Sequence, residues 1–303
     1  MTARDNLALV VLCSTLGYEA SSDNLKLKPL TTAAYTKLEK RMDSVDLMPS
    51  VFLQEKLSDI SGLLALTEIE IEQISSLLAR ADRLGEELDR LAEKKIYITS
   101  RMQDNYPTKL KKAMGKSAPV IFFYCGDINL LKNETVAIIG SREATDEEKD
   151  YTAKHARISA QNHRVIISGG ARGVDTIAKE AALHVGGKVI TFVSDNMTGY
   201  IEKNAEFILW DKMLALSSFH PDAIFQGYNA LERNKYIYAS SDYAVVVSSG
   251  DGTGGSYKGA ADCLKKNYCP LYVKDNGIST EGNKKLIELG GISLGSKHER
   301  INM

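Results

Sequence analysis

From Leu7 to about Lys95, apolar residues recur at intervals of three and four, with Leu57, Ile60, Leu63 and Leu64 followed by Ile71, Ile74, Leu77 and Leu78. That spacing gathers them on one face of successive α-helices. Thr67 with Glu70 predicts a capping box opening one of these helices, and Glu68, Glu70 and Glu72 put negative charge at the positive end of its dipole. Residues 1–95 are expected to form a helical N-terminal domain, and nothing in its residues names a function.

The pattern changes at Ile96. A short β-like run, Ile96 to Thr99, leads through Tyr106-Pro107 to Lys109, Lys111, Lys112 and Lys116 around a short helix, so the stretch to Leu131 reads as a linker into the next domain. The four lysines either line a phosphate path or form a solvated helix face, the commoner use of such a run. From Thr135 onward, unbroken β-branched runs alternate with helical ones. The runs are Thr135 to Ile139, Val165 to Ser168, Val189 to Val193, Tyr243 to Ser248 and Leu271 to Lys274, with Met213 to Ser217 as a further candidate strand, and a last helix spans Glu281 to Leu289. Continuous apolarity means strands buried on both faces. The expected fold class is α/β: a doubly wound, mostly parallel sheet in residues 96–303 behind the helical domain.

Composition narrows the ligand. The 303 residues are 44% hydrophobic and 25% charged, which excludes a disordered, collagen-like or coiled-coil chain. With 38 basic against 39 acidic residues the net charge is −1, so bulk charge does not hold a polyanion and any anion site must be local. Residues 1–100 carry 12 basic and 16 acidic side chains, which leaves 26 and 23 for the rest, the expected home of an anionic ligand. Cys13, Cys125, Cys263 and Cys269 show no C-x-x-C pair and no metal-finger spacing. The chain opens without a signal-peptide pattern, and its apolar run Leu7 to Leu12 falls far short of the ~20 residues a membrane span needs. A reduced, cytoplasmic protein without metal or membrane anchor is expected.

In open α/β sheets ligands sit beyond the carboxyl ends of the strands. Three loops there stand out. Gly140-Ser141-Arg142 follows the first strand, and combines close backbone approach, a hydroxyl and a guanidinium fork suited to phosphate. Ser168-Gly169-Gly170-Ala171-Arg172-Gly173-Val174-Asp175 runs from a strand into a helix whose first N–H groups favour an anion. Asp175 either caps that helix or bonds the loop, since a carboxylate aimed at phosphate would repel it. The third loop, Gly250 to Ser256, holds four glycines around Asp251 and Thr253. One glycine-rich turn is weak evidence, whereas three on successive elements, two with arginine, point to a phosphate-bearing ligand.

The same residues carry a resemblance. Tyr106-Pro107-x-x-Leu110, VAIIGSR (136–142), ISGGARGVD (167–175), Arg233-Asn234 with KYIYASSD, Gly252-Thr253 and GNKKLIELGG resemble, in order over about residues 96–291, the DprA/Smf family of DNA-processing proteins. The resemblance implies an extended Rossmann-like domain behind a helical one, a homodimer, binding of single-stranded DNA, and RecA loading during transformation or recombination. Carried over by position, the DNA- and phosphate-binding set is Gly140, Ser141, Arg142, Ser168, Gly169, Gly170, Arg172, Gly173, Asp175, Arg233, Asn234, Gly252 and Thr253. Arg142 and Arg172 would grip backbone phosphates, and Arg233 and Asn234 would stand at the start of a helix beside them. Gly227 to Glu232 replaces the family's phenylalanine-proline pair, Gly254-Gly255-Ser256-Tyr257 departs from its third loop, and the sequence stops without the winged helix many members carry, so a divergent branch is expected.

Two other readings use the same fold. A related phosphoribohydrolase family places a catalytic glutamate after its third loop, but Ser256 stands at that position here, and general acid–base chemistry loses its proton carrier. A sensor of a free nucleotide or nucleotide-derived signal would use the same pocket without turnover. His155, His163, His184, His220 and His298 form no metal or catalytic pattern. Neither an enzyme nor a cofactor is therefore expected. Trp210, Tyr228, Tyr236 and Tyr238 either stack on bases or pack the core.

Overall fold

The computed structural model describes residues 2–17, 28–276 and 279–295. Parts of the expected domains, residues 18–27 and 296–303, lie outside the described residues. Contacts group the chain into two units. One is drawn from Met1–Tyr106, Gly115–Phe123 and Ser218–His220, the other from Pro107–Met114, Tyr124–Ser217 and Pro221–Met303.

The first unit carries helices α1 (Ala3–Cys13), α2 (Thr32–Ser44), α3 (Val51–Gln54), α4 (Leu57–Ser61), α5 (Glu68–Leu78) and α6 (Ala81–Glu93), and strand β1 (Tyr97–Ser100). The capping box is present: Thr67 Oγ1 accepts from the Glu70 N–H at 3.3 Å, and the Glu70 carboxylate accepts from the Thr67 N–H at 2.9 Å. Ile60, Leu64, Ile74 and Leu77 are buried with Leu9 and Leu12, whereas Leu63, two residues beyond the end of α4, is exposed. Buried Arg80 donates to the carbonyls of Val11, Ser14 and Leu16, closing the carboxyl end of α1.

The stretch read as a linker contains α7 (Thr108–Met114) and a six-residue strand, β2 (Ile121–Gly126), with Ile121, Phe122, Phe123 and Cys125 buried. Its β-forming aromatic run was the signal for a strand, overlooked beside the lysine-rich helix. The second unit continues with β3 (Thr135–Ile139), α8 (Asp146–Gln161), β4 (Val165–Ser168), α9 (Val174–His184), β5 (Val189–Phe192), α10 (Met197–Lys203), α11 (Ala205–Leu209) and β6 (Met213–Ser217). It ends with α12 (Gly227–Ala239), β7 (Tyr243–Val246), α13 (Gly254–Lys266), β8 (Leu271–Lys274), α14 (Glu281–Glu288) and β9 (Ile292–Leu294).

Seven of these strands lie in the order β6-β5-β4-β3-β7-β8-β9, and every pairing among them is parallel. The fold is thus α/β with a Rossmann-like, doubly wound sheet. Strand order β5-β4-β3-β7-β8-β9 is the two-half Rossmann order, extended by β6 at one side. From β3 the chain steps outward through β4, β5 and β6, then returns past β3 to β7 and steps the other way. Right-handed crossovers put α8 and α9 on one face and α12, α13 and α14 on the other, which agrees with the contacts of α8 with α9 and of α13 with α12 and α14.

The apolar runs are buried in all five residues of β3 and of β6 and all four of β4 and of β5, and Tyr243 of β7 and Tyr272 of β8 are half-buried. β5 and β7 end one and two residues before the predicted ends, although the Val193 and Val247 N–H groups still donate to Leu216 and Ile139 at 2.7 and 2.8 Å. β9, which the pattern did not announce, has three residues, too few for a period to show.

Where β3 and β7 begin, Asp242 Oδ2 accepts from the Thr135 N–H at 2.7 Å, the Thr135 hydroxyl at 3.0 Å and the Lys109 ammonium. Thr135 is fully buried. Asp242→Ala is expected to strand that N–H and destabilise the protein by about 1 to 3 kcal/mol. Chemical denaturation of parent and variant measures the loss, and equal stability would show that the carboxylate does not hold the strand.

Candidate functional site

The chain reverses its stepping direction between β3 and β7, so the carboxyl ends of these strands flank an open crevice, where α/β sheets bind ligands. The three glycine loops meet there and interlock. Ser256 donates its hydroxyl to the Gly140 carbonyl at 2.6 Å, joining the third loop to the first. The Val174 N–H donates to the Ser141 carbonyl at 3.2 Å, joining the second to the first. Gly173 has φ +78°, and a side chain there would strike the carbonyls of Ser141 and Arg142.

The second loop is held by two buried ions. Asp175 bonds the loop rather than capping α9: Oδ2 accepts from the N–H groups of Gly169 at 3.0 Å and Ala171 at 3.4 Å. Arg233 donates through Nη1 to the carbonyls of Gly169 and, at 2.7 Å, Phe192. Burial pushes the Asp175 carboxyl up and the Arg233 guanidinium down from their ordinary values, and the attraction between them opposes both shifts. A methyl group on Gly169 would overlap the Arg233 guanidinium.

Arg233 corrects one expectation. It lies in the second turn of α12, not at its start, and its Nη1 is spent on protein carbonyls. Its neighbour Asn234 donates to the Gly255 carbonyl at 3.2 Å, tying α12 to the start of α13. Ser141 is also engaged, its hydroxyl oxygen accepting from the Glu143 N–H at 3.0 Å.

Two adjoining cavities open over these loops. One of about 320 Å³ lies over the ends of β4 and β5, and one of about 550 Å³ lies in the β3/β7 crevice. Arg142, Ala171, Phe225 and Arg233 line both. Gly169, Gly170 and Arg172 line the smaller cavity, and Gly140, Ser141, Asp175, Asn234 and Thr253 the larger. Ser168, Gly173 and Gly252 line neither. Ser168 is buried, and Gly173 serves the packing of loop on loop. In the smaller cavity Arg142, Arg172, Lys203 and Arg233 face a single carboxylate, Asp195. In a chain of net charge −1, that excess of cations is local.

The loop after β5, Val193 to Asn196, also lines the smaller cavity, and the motif reading passed over it because it has no glycine. The rule that ligands lie past the carboxyl ends of strands could have found it. Tyr200 closes the wall behind it, donating its hydroxyl to Thr191 Oγ1 at 3.0 Å, and burial pushes that phenol up to about 12. Phe225 was also missed. It is 54% exposed, and its ring lies 5.9 Å from the Arg142 guanidinium. In the third loop Gly250, Gly252 and Gly255 have the spacing of a dinucleotide fingerprint, but that fingerprint belongs to the first strand-to-helix turn, and this loop follows β7.

The family model described as DNA recombination-mediator protein A matches residues 97–302. The chain is 31% identical over 160 residues to the DNA processing protein DprA of Streptococcus pneumoniae (strain ATCC BAA-255 / R6), across 52% of this chain and 55% of that protein. It is 26% identical over 190 residues to DprA of Bacillus subtilis (strain 168), across 61% of each. The chain thus spans less than two thirds of the length of these curated relatives. Among solved structures, DprA from Streptococcus pneumoniae shares the fold with a TM-score of 0.68 at 24% identity, across 88% of this chain and 90% of that one. DNA processing protein A from Helicobacter pylori, described for its single-stranded DNA binding mode, gives a TM-score of 0.55 at 28% identity, across 66% and 90%.

The fit of Arg233 against Gly169 is open to test. Gly169→Ala is expected to destabilise the protein by about 1 to 3 kcal/mol through overpacking. In an Arg233→Met background that cost should shrink, because the atoms it strikes are gone. Additive effects in a double-mutant cycle of thermal melts would mean that the two residues do not press on each other.

Proposed function

The chain belongs to the DNA recombination-mediator protein A family, and we propose that it binds single-stranded DNA by its backbone phosphates at the carboxyl edge of the sheet and acts as a recombination mediator. The observation that carries this reading is the pair of adjoining cavities with Arg142 common to both, the smaller one lined also by Arg172 and Lys203 against one carboxylate. Cations on phosphates give affinity without reading sequence, as a general recombination factor requires. Exposed Phe225 beside Arg142, with Tyr228 one helical start away and 70% exposed, supplies aromatic faces for bases whose phosphates the arginines hold.

In this reading residues 96–303 form the DNA-binding domain and residues 1–95 the helical one. The chain works as a homodimer whose two sites hold one long strand by avidity, and it hands that strand to a recombinase of the RecA type. Light scattering should give twice the 33.3 kDa chain mass. A recombinase filament that nucleates no faster on strands bound by this protein would remove the hand-off. The reading is of a binding protein without turnover, since Ser256, where a phosphoribohydrolase needs its carboxylate, spends its hydroxyl on the Gly140 carbonyl. The smaller cavity, at about 320 Å³, is also of a size for a single nucleotide, which keeps the sensor as the second reading.

Arg142→Ala and Arg172→Ala are each expected to weaken binding of a labelled oligonucleotide equally for all sequences, and to lower the dependence of log K on log salt by about 0.7 for the lost phosphate contact. Phe225→Ala should weaken binding by roughly 1 kcal/mol or more while leaving the salt slope as it was, because stacking releases no counterion. A salt titration of parent and variants by fluorescence anisotropy checks both. Unchanged affinity in the two arginine variants, or mononucleotides that bind while oligonucleotides do not, would exclude this interface.

A further inference from the structure

The opposite end of the same sheet carries a second basic cavity, of about 270 Å³. Three neighbouring strands begin directly after a cation: Arg164 precedes β4, Lys188 precedes β5 and Lys212 precedes β6. Val189 pairs with Met213, so Lys188 and Lys212 come side by side across adjacent strands. Ile166 pairs with Val189, which sets Arg164 one residue further out on the third strand. Strands in a sheet lie about 4.8 Å apart, and like charges placed opposite each other at that spacing repel. An anion between them would relieve the repulsion.

The charges around the row are already committed. Before β3 stands Glu134, which accepts from Arg164 Nε at 2.7 Å, and before β7 stands Asp242, which takes Lys109. Neither Lys188 nor Lys212 has an ion-pair partner among the described residues, although Lys212 donates to the Gly186 carbonyl at 3.0 Å. Helices α8 and α9 end at this edge, but backbone N–H groups of the following turns close their last carbonyls. Asn162, His163 and Arg164 donate to Ile158, Ala160 and Ser159, each at 3.0 Å, and Gly186 and Gly187 donate to Leu183 and Ala182, each at 2.9 Å. Apart from Lys212, the cations are thus not needed as caps. Counting Glu134 as one negative charge and each helix end as about half of one, the three cations leave the cavity net positive.

We propose that this cavity is a second phosphate site, taking a phosphoryl group carried by a small ligand or by the backbone of a nucleic acid strand. It stands apart from the carboxyl-edge site and does not depend on the reading given to that site.

The test uses the full chain with Arg142→Ala and Arg172→Ala, which weakens the carboxyl-edge site, and titrates inorganic pyrophosphate by calorimetry at low salt. Pyrophosphate is expected to bind, and adding Lys188→Gln and Lys212→Gln to weaken it by about tenfold or more. Thermal melts control for folding, since Lys212→Gln also alters the contact with the Gly186 carbonyl. A thymidine oligonucleotide run in parallel distinguishes the sources: a matching loss assigns the phosphate to a strand backbone, and no loss assigns it to a small phosphorylated ligand. No pyrophosphate binding in the arginine variant, or an affinity that the lysine changes leave within about twofold, overturns the proposal.

Discussion

Gly169 is gripped from both sides by opposite buried charges. Its N–H donates to Asp175, its carbonyl accepts from Arg233, and its lack of a side chain lets the guanidinium close over it. Each ion taken alone would be costly to bury, and each shifts its partner back toward the charged form. Between them they fix the direction in which the second loop leaves β4. Arg142, Arg172 and the mouths of both cavities stand on that frame.

The other loops are fixed by contact with it and by the tail of the chain. Gly140 and Gly173 let the first and second loops touch, since a side chain on either would overlap the other loop or its helix. Gly282 does the same for α14, whose backbone lies against the carbonyls of Ser249 and Gly250. Asn283 then donates to the carbonyls of Val247 and Lys274, both at 3.0 Å, and accepts from the Ser249 hydroxyl at 2.9 Å. The GNKK segment is therefore a brace for the third loop rather than part of the ligand surface. In the proposed reading, loops braced in this way present the arginine forks without having to be ordered first, which lowers the entropic cost of binding.

The sheet separates two kinds of charge. At its carboxyl edge, cations stand on loops over an open crevice, with aromatic Phe225 among them. At its amino edge, cations immediately precede β4, β5 and β6, and Glu134 pairs with the first of them, Arg164. Parallel strands alone bring this about, because residues far apart in sequence at equivalent strand positions become neighbours at one edge.

By itself the sequence determined the strands and the chemistry of the loops. Unbroken apolar runs have one burial solution, so β3, β4, β6 and β8 were legible to the residue, and the glycine and arginine content of the loops after β3 and β4 marked them as the candidate site. It determined less where a signal was short or shared: β9 has three residues, and β2 lay beside a lysine-rich helix. Only the tertiary structure decided which residues stand exposed at the cavities and which build the frame. Arg142, Arg172 and Arg233 look alike in sequence, yet the first two are exposed on the cavity rim and the third is buried beneath a glycine. Phe225 carries no motif and reaches the site only because the chain returns past β3 on its way to β7. Local pattern reports what one segment can bury, whereas the assignment of a side chain to ligand or frame depends on what distant segments have been brought against it.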